Sequence, residues 1–492
     1  MRLLPPNINQ TLLALMAASS LTLSSCKTLD SFKPEVEEVV AEVPLSPASA
    51  NNGAAGNGAE AGQDWVEAAP DDLPRTDWVA EFSDPVLTQL VEQALAANTD
   101  IKVSEARYRA ALARLDITEA ELLPSVNASA NASRTDNLGN GLDSSRLGGG
   151  VNASWEYDLW GRIRDGVDAS ELEVAASQAD YAGVRLAIAA QVTQTWFDLI
   201  EARLLRELAE RDVDTLARAL RLTTRRFEGG VTGSSDVRLA RSTLANAQAT
   251  QASRQQRQSA LARSLEILLR EYPDQSLTAA ADLPALAPLQ GAGGPAYVLR
   301  HRPDLLAAER RMHAAGLDVD IARKALLPSL SFNGGLNIGG TTLNNIFDID
   351  ALVADIVGGL TAPVFQGGRL KANVAQQEAI LRQQLEGYAG TALNAYLEVE
   401  NALDADRRLA QREEALRISL EEATKAEERL ELRYTEGLTT ILQLLDSQSR
   451  KISAESQLIS ARKERLANRV RLYVALGGGD ISQSALLAST QL

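Results

Sequence analysis

The chain has 492 residues, with 49 Lys+Arg against 65 Asp+Glu and a formal net charge of -16. At 45% hydrophobic residues it can bury a real core, while this acidic balance and a pI near 4.8 argue against nucleic acid, whose partners present a basic face. One cysteine excludes an intramolecular disulfide or a multi-cysteine metal site, and His301 and His313 stand apart from any metal-ligand spacing such as HExxH.

Met1–Ser25 carries one positive charge, Arg2, no acid, and an apolar stretch from Thr11 to Leu23. This is the layout of a secretory signal, too short to cross a membrane as a helix. It ends in Leu23-Ser24-Ser25-Cys26, which resembles a bacterial lipobox and makes Cys26 the expected acylated first residue of the mature chain. The plainer alternative is an ordinary signal with an incidental cysteine. Lys27, where an inner-membrane lipoprotein commonly has Asp, directs the expectation to the outer membrane. Residues 26–74 are then anchor and linker, because the Ala/Gly/Asn-rich run around SPASANNGAAGNGAEAG cannot bury enough apolar surface to offset its ordering. No later run of 18 apolar residues offers a spanning helix.

The remainder is duplicated. Residues 98–126 align with 302–330 without a gap, matching at 11 of 29 positions, including Asp100/Asp304, Glu105/Glu309, Arg107/Arg311 and LLPS at 122–125 and 326–329. Further on, Arg226-Phe227-x-x-Gly230-Val231-Thr232 repeats as Arg433-Tyr434-x-x-Gly437-Leu438-Thr439. Two copies are therefore expected, at 75–290 and 291–480, with a tail at 481–492. Each has the order helix, strand pair, very long helix, turn, helix.

Period-2 alternation predicts strands near 123–134, 149–160, 327–339 and 351–365. Val126, Ala128, Ala130 and Ala132 oppose Ser125, Asn127, Ser129 and Asn131; Val151, Ala153, Trp155 and Tyr157 oppose Asn152, Ser154 and Glu156. The third strand sets Leu330, Phe332, Leu336 and Ile338 against Ser331, Asn333 and Asn337, and the fourth alternates weakly. Such strands suit either a half-buried soluble sheet or a membrane barrel with a wet lumen, and the outer-membrane address favours the barrel. Four strands cannot close one, and lipid does not tolerate open edges, so three chains would pool twelve. Helical hairpins are predicted over 163–272 and 368–476, rich in Ala, Leu, Glu, Gln and Arg, forming either a solvated coiled-coil rod or the wall of a hollow cylinder.

These features resemble the TolC-like outer-membrane efflux proteins, in particular the lipidated NodT/OprM-type branch serving resistance–nodulation–division (RND) pumps. The resemblance rests on His301-Arg302-Pro303-Asp304-Leu305, the LLPS repeats, Trp155 to Arg164, Phe365-Gln366-Gly367-Gly368-Arg369 and the turns RFEGGVT and RYTEGLT. It implies a mostly α protein with membrane β. Specifically, it implies a homotrimer with four strands per chain in a shared twelve-stranded barrel, a long periplasmic α-barrel and an equatorial belt. The implied partners are a periplasmic adaptor (membrane fusion protein), an inner-membrane RND transporter and outer-membrane lipid, with no cofactor. It maps a periplasmic gate onto Leu442, Gln443 and Asp446. Leu442 and Asp446 share a helix face, and Gln443 stands where another branch has a second aspartate. It places a latch at Ser235, Asp236 and Tyr434, and adaptor contact at Arg226, Gly230, Val231, Thr232, Arg433, Gly437, Leu438 and Thr439.

The expected function is passive conduction of small molecules such as drugs, as the exit duct of a tripartite pump. The alternatives are an outlet for type I protein secretion or a poreless periplasmic scaffold lipoprotein. An enzyme is poorly supported, since GxxxxGK(S/T), GxSxG and any nucleophile–base or metal cluster are missing from the sequence.

Overall fold

A computed structural model describes residues 78–136, 143–289, 295–340 and 352–479, all within the unit Glu60–Leu492. Cys26, the signal, the linker and the tail lie outside the described residues.

The elements run α1 (Pro85–Ala97), α2 (Thr99–Ala120), β1 (Ser125–Asp136), β2 (Asp143–Tyr157), α3 (Arg162–Glu228), α4 (Ser234–Leu268), α5 (Pro295–His301), α6 (Pro303–Lys324), β3 (Ser329–Gly340), β4 (Leu352–Thr361), α7 (Arg369–Thr435) and α8 (Ile441–Ala475). The duplication holds in element order, although α1 and α5 have 13 and 7 residues and β2 and β4 have 15 and 10. α2 and α6 have 22 residues each, β1 and β3 have 12, α3 and α7 have 67, and α4 and α8 have 35. A 67-residue helix is about 100 Å long at 1.5 Å per residue.

Local chemistry sets the helix ends. Asp84 caps α1 by accepting from the N–H groups of Val86 and Leu87, with Pro85 in the first turn where its missing N–H costs nothing. Asp158 accepts from the N–H groups of Ile163 and Arg164 at the start of α3. Gly161 and Gly368, at φ 76° and 85°, turn the chain out of each strand pair into its long helix in a left-handed conformation that side chains rarely adopt.

The strands form one antiparallel meander, β1-β2-β3-β4. Its register puts Val126 beside Ala153, Trp155 beside Phe332, Val151 beside Leu336, and Leu336 beside Ala354, so the apolar sides of all four strands coincide. The other face carries Asn127, Asn152, Ser154, Asn333, Asn337 and Asp355. Gly150 and Gly335 sit among these polar side chains, where an added Cβ would run into the Asn337 amide. β2 starts earlier than its alternation predicts, because Gly148-Gly149-Gly150 has no side chains with which to alternate. β4 stops at Thr361, shorter than predicted, just before Pro363, which has no N–H to give a ladder. Trp155 and Trp160 at the sheet base donate their indole N–H to the carbonyls of Leu122 and Pro328.

Among the described residues the apolar face of the sheet is left open. Ile356 is 87% exposed and Leu360 67%, and β1 and β4 are both free edges among the described strands. A four-stranded sheet with an uncovered apolar face and two open edges is unstable in water. No described helix is long and apolar enough to cross a membrane.

The cores lie along the helices. In the largest, Trp78, Phe82 and α1 pack against mid-α3 (Leu186 to Ile200) and the ends of α4 and α8. Phe82 meets Phe197 edge-on at 5.1 Å, Trp78 stacks on Tyr473 at 5.8 Å, and the Trp196 indole donates to Asp84. A second core joins Val298 and Leu305 to mid-α7 and the end of α8. Repeat-related residues clasp both halves. Buried Asn98 donates to the Leu268 carbonyl that ends α4, and buried Arg302 donates to the Ala475 carbonyl that ends α8. Arg302 adds ion pairs to Asp304 and Glu398 at 2.7 and 2.6 Å, which gives the HRPD motif its structural purpose.

Candidate functional site

The two hairpin turns, at the ends of α3 and α7, bring most of the singled-out residues together. Both end in the same backbone motif. The Val231 N–H donates to the Arg226 carbonyl and the Gly230 N–H to the Phe227 carbonyl. Leu438 and Gly437 repeat this on Arg433 and Tyr434. Gly230 and Gly437 take φ of 70° and 81°, the left-handed position that closes a helix this way. The residue after each glycine commonly packs back on the helix, but Val231 and Leu438 are 66% and 62% exposed, so both tips present an apolar side chain outward.

Between the turns lies a small core of Leu216, Ala247, Tyr434, Ile441, Leu444 and Leu445. Tyr434 is 2% exposed, and its hydroxyl meets the Thr223 hydroxyl at 2.9 Å. Arg226 crosses from the first turn, donating to the Tyr434 carbonyl at 2.6 Å with its guanidinium carbon 4.7 Å from the Tyr434 ring centre. That carbonyl also accepts the Gly437 N–H, so both its lone pairs are used. Arg226 is the bolt between the hairpins, a role that its place in a turn motif does not reveal.

The latch residues are not joined to one another. Tyr434 bonds Thr223 rather than Asp236, whose carboxylate accepts from the Thr232 hydroxyl within its own turn at the start of α4. Local capping takes the carboxylate first, and Ser235 stays exposed beside it.

On α8, Leu442 and Asp446 are exposed on one face, as their spacing predicts. Gln443 is drawn back to the helix start. Its side-chain oxygen accepts from the Thr440 N–H while its own N–H donates to the Thr440 hydroxyl, a reciprocal capping box. Asp446 pairs with Arg450 one turn on, at 2.8 Å, which keeps the Arg450 guanidinium protonated beyond its ordinary range. This face therefore carries an apolar group, an acid and a base in succession. Arg433 and Thr439 complete the second turn, Arg433 exposed and Thr439 donating to Gln443.

Above the turns, α3, α7 and α8 enclose a cavity of about 260 Å³ lined by Asp212, Glu427, Gln448 and Lys451 among others. Lys451 reaches Glu427 at 3.1 Å, whereas Asp212 Oδ1 and Gln448 Oε1 are buried with no hydrogen-bond partner among the described residues. Burial pushes the Asp212 carboxyl above its ordinary value. A raised carboxyl costs stability as pH rises through its folded value and costs nothing below the unfolded one. Asp212→Asn should therefore raise the unfolding temperature at neutral pH, with the gain vanishing in acid; thermal melts at both pH values check this.

Comparison with known proteins decides the class. The sequence profile of the outer membrane efflux protein family matches residues 90–269 and 295–478, one stretch in each half of the duplication. The chain belongs to the outer membrane efflux protein family. It is 32% identical over 424 residues to the pyoverdine export outer membrane protein OpmQ of Pseudomonas putida, covering 83% of this chain and 89% of that one. Among solved structures, the outer-membrane channel OprN superposes with a TM-score of 0.77 at 30% identity, covering 84% of this chain and 95% of that one. The open-state MtrE channel of Neisseria gonorrhoeae gives 0.76 at 28% identity, over 85% and 95%. The family's members are channels of the outer membrane, and that is this chain's place and class: an efflux channel with a TolC-like fold.

Proposed function

We propose that three copies pool their strands into one twelve-stranded barrel in lipid and stand their hairpins side by side as a tube about 100 Å deep, the exit duct of a tripartite RND-type pump for small molecules such as drugs. The observation that carries this is the four-stranded sheet with one continuous apolar face and two open edges, rooted in helices far longer than a bilayer is thick. Twelve strands are enough to keep an aqueous lumen. Energy enters upstream, at the inner-membrane transporter, and the duct conducts passively.

The turns lie at the ends of α3 and α7 away from the sheet, hence deepest in the periplasm. Leu442 and Asp446, repeated by threefold symmetry, make an apolar ring and a charged ring at the closed end. An adaptor would meet Val231 and Leu438 at the tips, with Gly230, Thr232, Arg433, Gly437 and Thr439 around them. By exchanging the Arg226–Tyr434 contact for its own, it would shift the population toward open hairpins. Cys26 would add an acyl anchor.

Purified protein in planar bilayers should conduct as a trimer, and a strain lacking it should become sensitive to pump substrates. A monomer that does not conduct would overturn the reading.

A further inference from the structure

The duplication, laid over the contacts inside one chain, specifies contacts between chains. The motif Arg-(Phe/Tyr)-x-x-Gly occurs twice, yet only half of each copy is satisfied. Arg226 of the first motif lies, half-buried, on the buried Tyr434 of the second, between the hairpins. Arg433 of the second and Phe227 of the first are left exposed, Phe227 by 44%, and among the described residues Arg433 has no side-chain hydrogen bond or ion pair.

Within the chain, α8 of the second hairpin packs on α3 of the first. Arg211 pairs with Glu455 at 2.6 Å, Ser460 bonds Glu201 at 2.6 Å, and Leu216 meets Leu444 and Leu445. The repeat converts α3 into α7 and α8 into α4, residue for residue. The equivalent seam is therefore α7 of one subunit against α4 of the next.

We infer that Arg433 of one subunit sits on Phe227 of the partner subunit, its guanidinium over the ring and donating to the Phe227 backbone carbonyl, as Arg226 does on Tyr434. This rests on the trimer proposed above, because only a closed ring of copies presents α4 of one to α7 of another.

The two seams differ in chemistry. Leu430 stands where Thr223 does and Phe227 where Tyr434 does, so the hydroxyl pair of the seam inside the chain becomes an apolar contact between chains. Ile418 and Gln248, both exposed, replace Arg211 and Glu455, so the ion pair gives way to an uncharged contact. Arg433 thus meets an uncharged stretch of the seam at these positions, while Arg238 and Arg408 stand where Leu445 and Glu201 do. A planar, weakly hydrated guanidinium over an aromatic face suits that setting.

The test uses the full-length protein in its native outer membrane, treated with a short bismaleimide. Arg433→Cys with Phe227→Cys should give dimer and trimer bands on denaturing gels, and so should Ile418→Cys with Gln248→Cys. Each single variant should give none. Arg226→Cys with Tyr434→Cys should link only within the chain. A native trimer by mass in which neither interchain pair links overturns the inference and leaves the trimer standing. Bands from the 418/248 pair alone overturn the assignment of Arg433. A protein that is not trimeric by mass overturns the trimer itself.

Discussion

Ile356→Lys should abolish assembly in the outer membrane, while Val357→Lys, one residue further along the same strand, should be tolerated. Ile356 belongs to the continuous apolar face with Leu336, Phe332 and Val151, whereas Val357 faces the side that carries Asn333 and Ser154. A lysine on the lipid face of a membrane strand costs about 2–4 kcal/mol near the midplane, and a lumen position far less. Threefold symmetry repeats the cost in every subunit, about 6–12 kcal/mol per trimer, comparable with the whole stability of an ordinary domain. Fractionated membranes blotted for heat-modifiable trimer check the outcome. Equal assembly of the two variants would mean that the sheet does not lie in lipid.

Arg226→Ala should loosen the closed end. The substitution removes a charge-assisted hydrogen bond to the Tyr434 carbonyl and the guanidinium resting on its ring. Those contributions are about 1.5–3 kcal/mol for the bond and about 0.5–2 kcal/mol for the ring contact. If only the closed state makes them, their loss moves the equilibrium toward open by roughly one and a half to three and a half orders of magnitude. Single-channel recordings should show higher conductance, and cells should admit a large antibiotic that the parent excludes. Arg226→Lys keeps the charge but not the planar fork, so it should fall in between. Tyr434→Phe loses only the neutral bond to Thr223 and should have the smaller effect. Parental conductance in an intact Arg226→Ala trimer would remove Arg226 from the gate.

Much of this architecture is legible in the residues because it rests on short-range periodicity. The alternation of Val126, Ala128 and Ala130 with Asn127 and Ser129 shows its strand, and the repeated LLPS and RF/RY motifs show the duplication. Strand length at Gly148–Gly150 is not legible, since glycine carries no alternation. Family resemblance carried the turns, but their chemistry was only half readable. Thr440-x-x-Gln443 has the capping-box spacing and Asp446 and Arg450 the four-residue spacing of a helical ion pair, so both could have been read directly. Arg226 on Tyr434 and Thr223 on Tyr434 join residues more than 200 apart, and nothing local in the sequence announces them.

The clasps at Asn98 and Arg302 occupy corresponding places in the two halves, yet they differ in kind. One is a neutral amide, and the other is a guanidinium held by two carboxylates, Asp304 and Glu398, that are about half exposed. Dissolved electrolyte reaches those carboxylates and weakens their attraction, but has little hold on an amide bonded to a carbonyl. Brine therefore discriminates between the halves, slackening the girdle around α6 and α7 while leaving its twin around α2 and α4 at full grip.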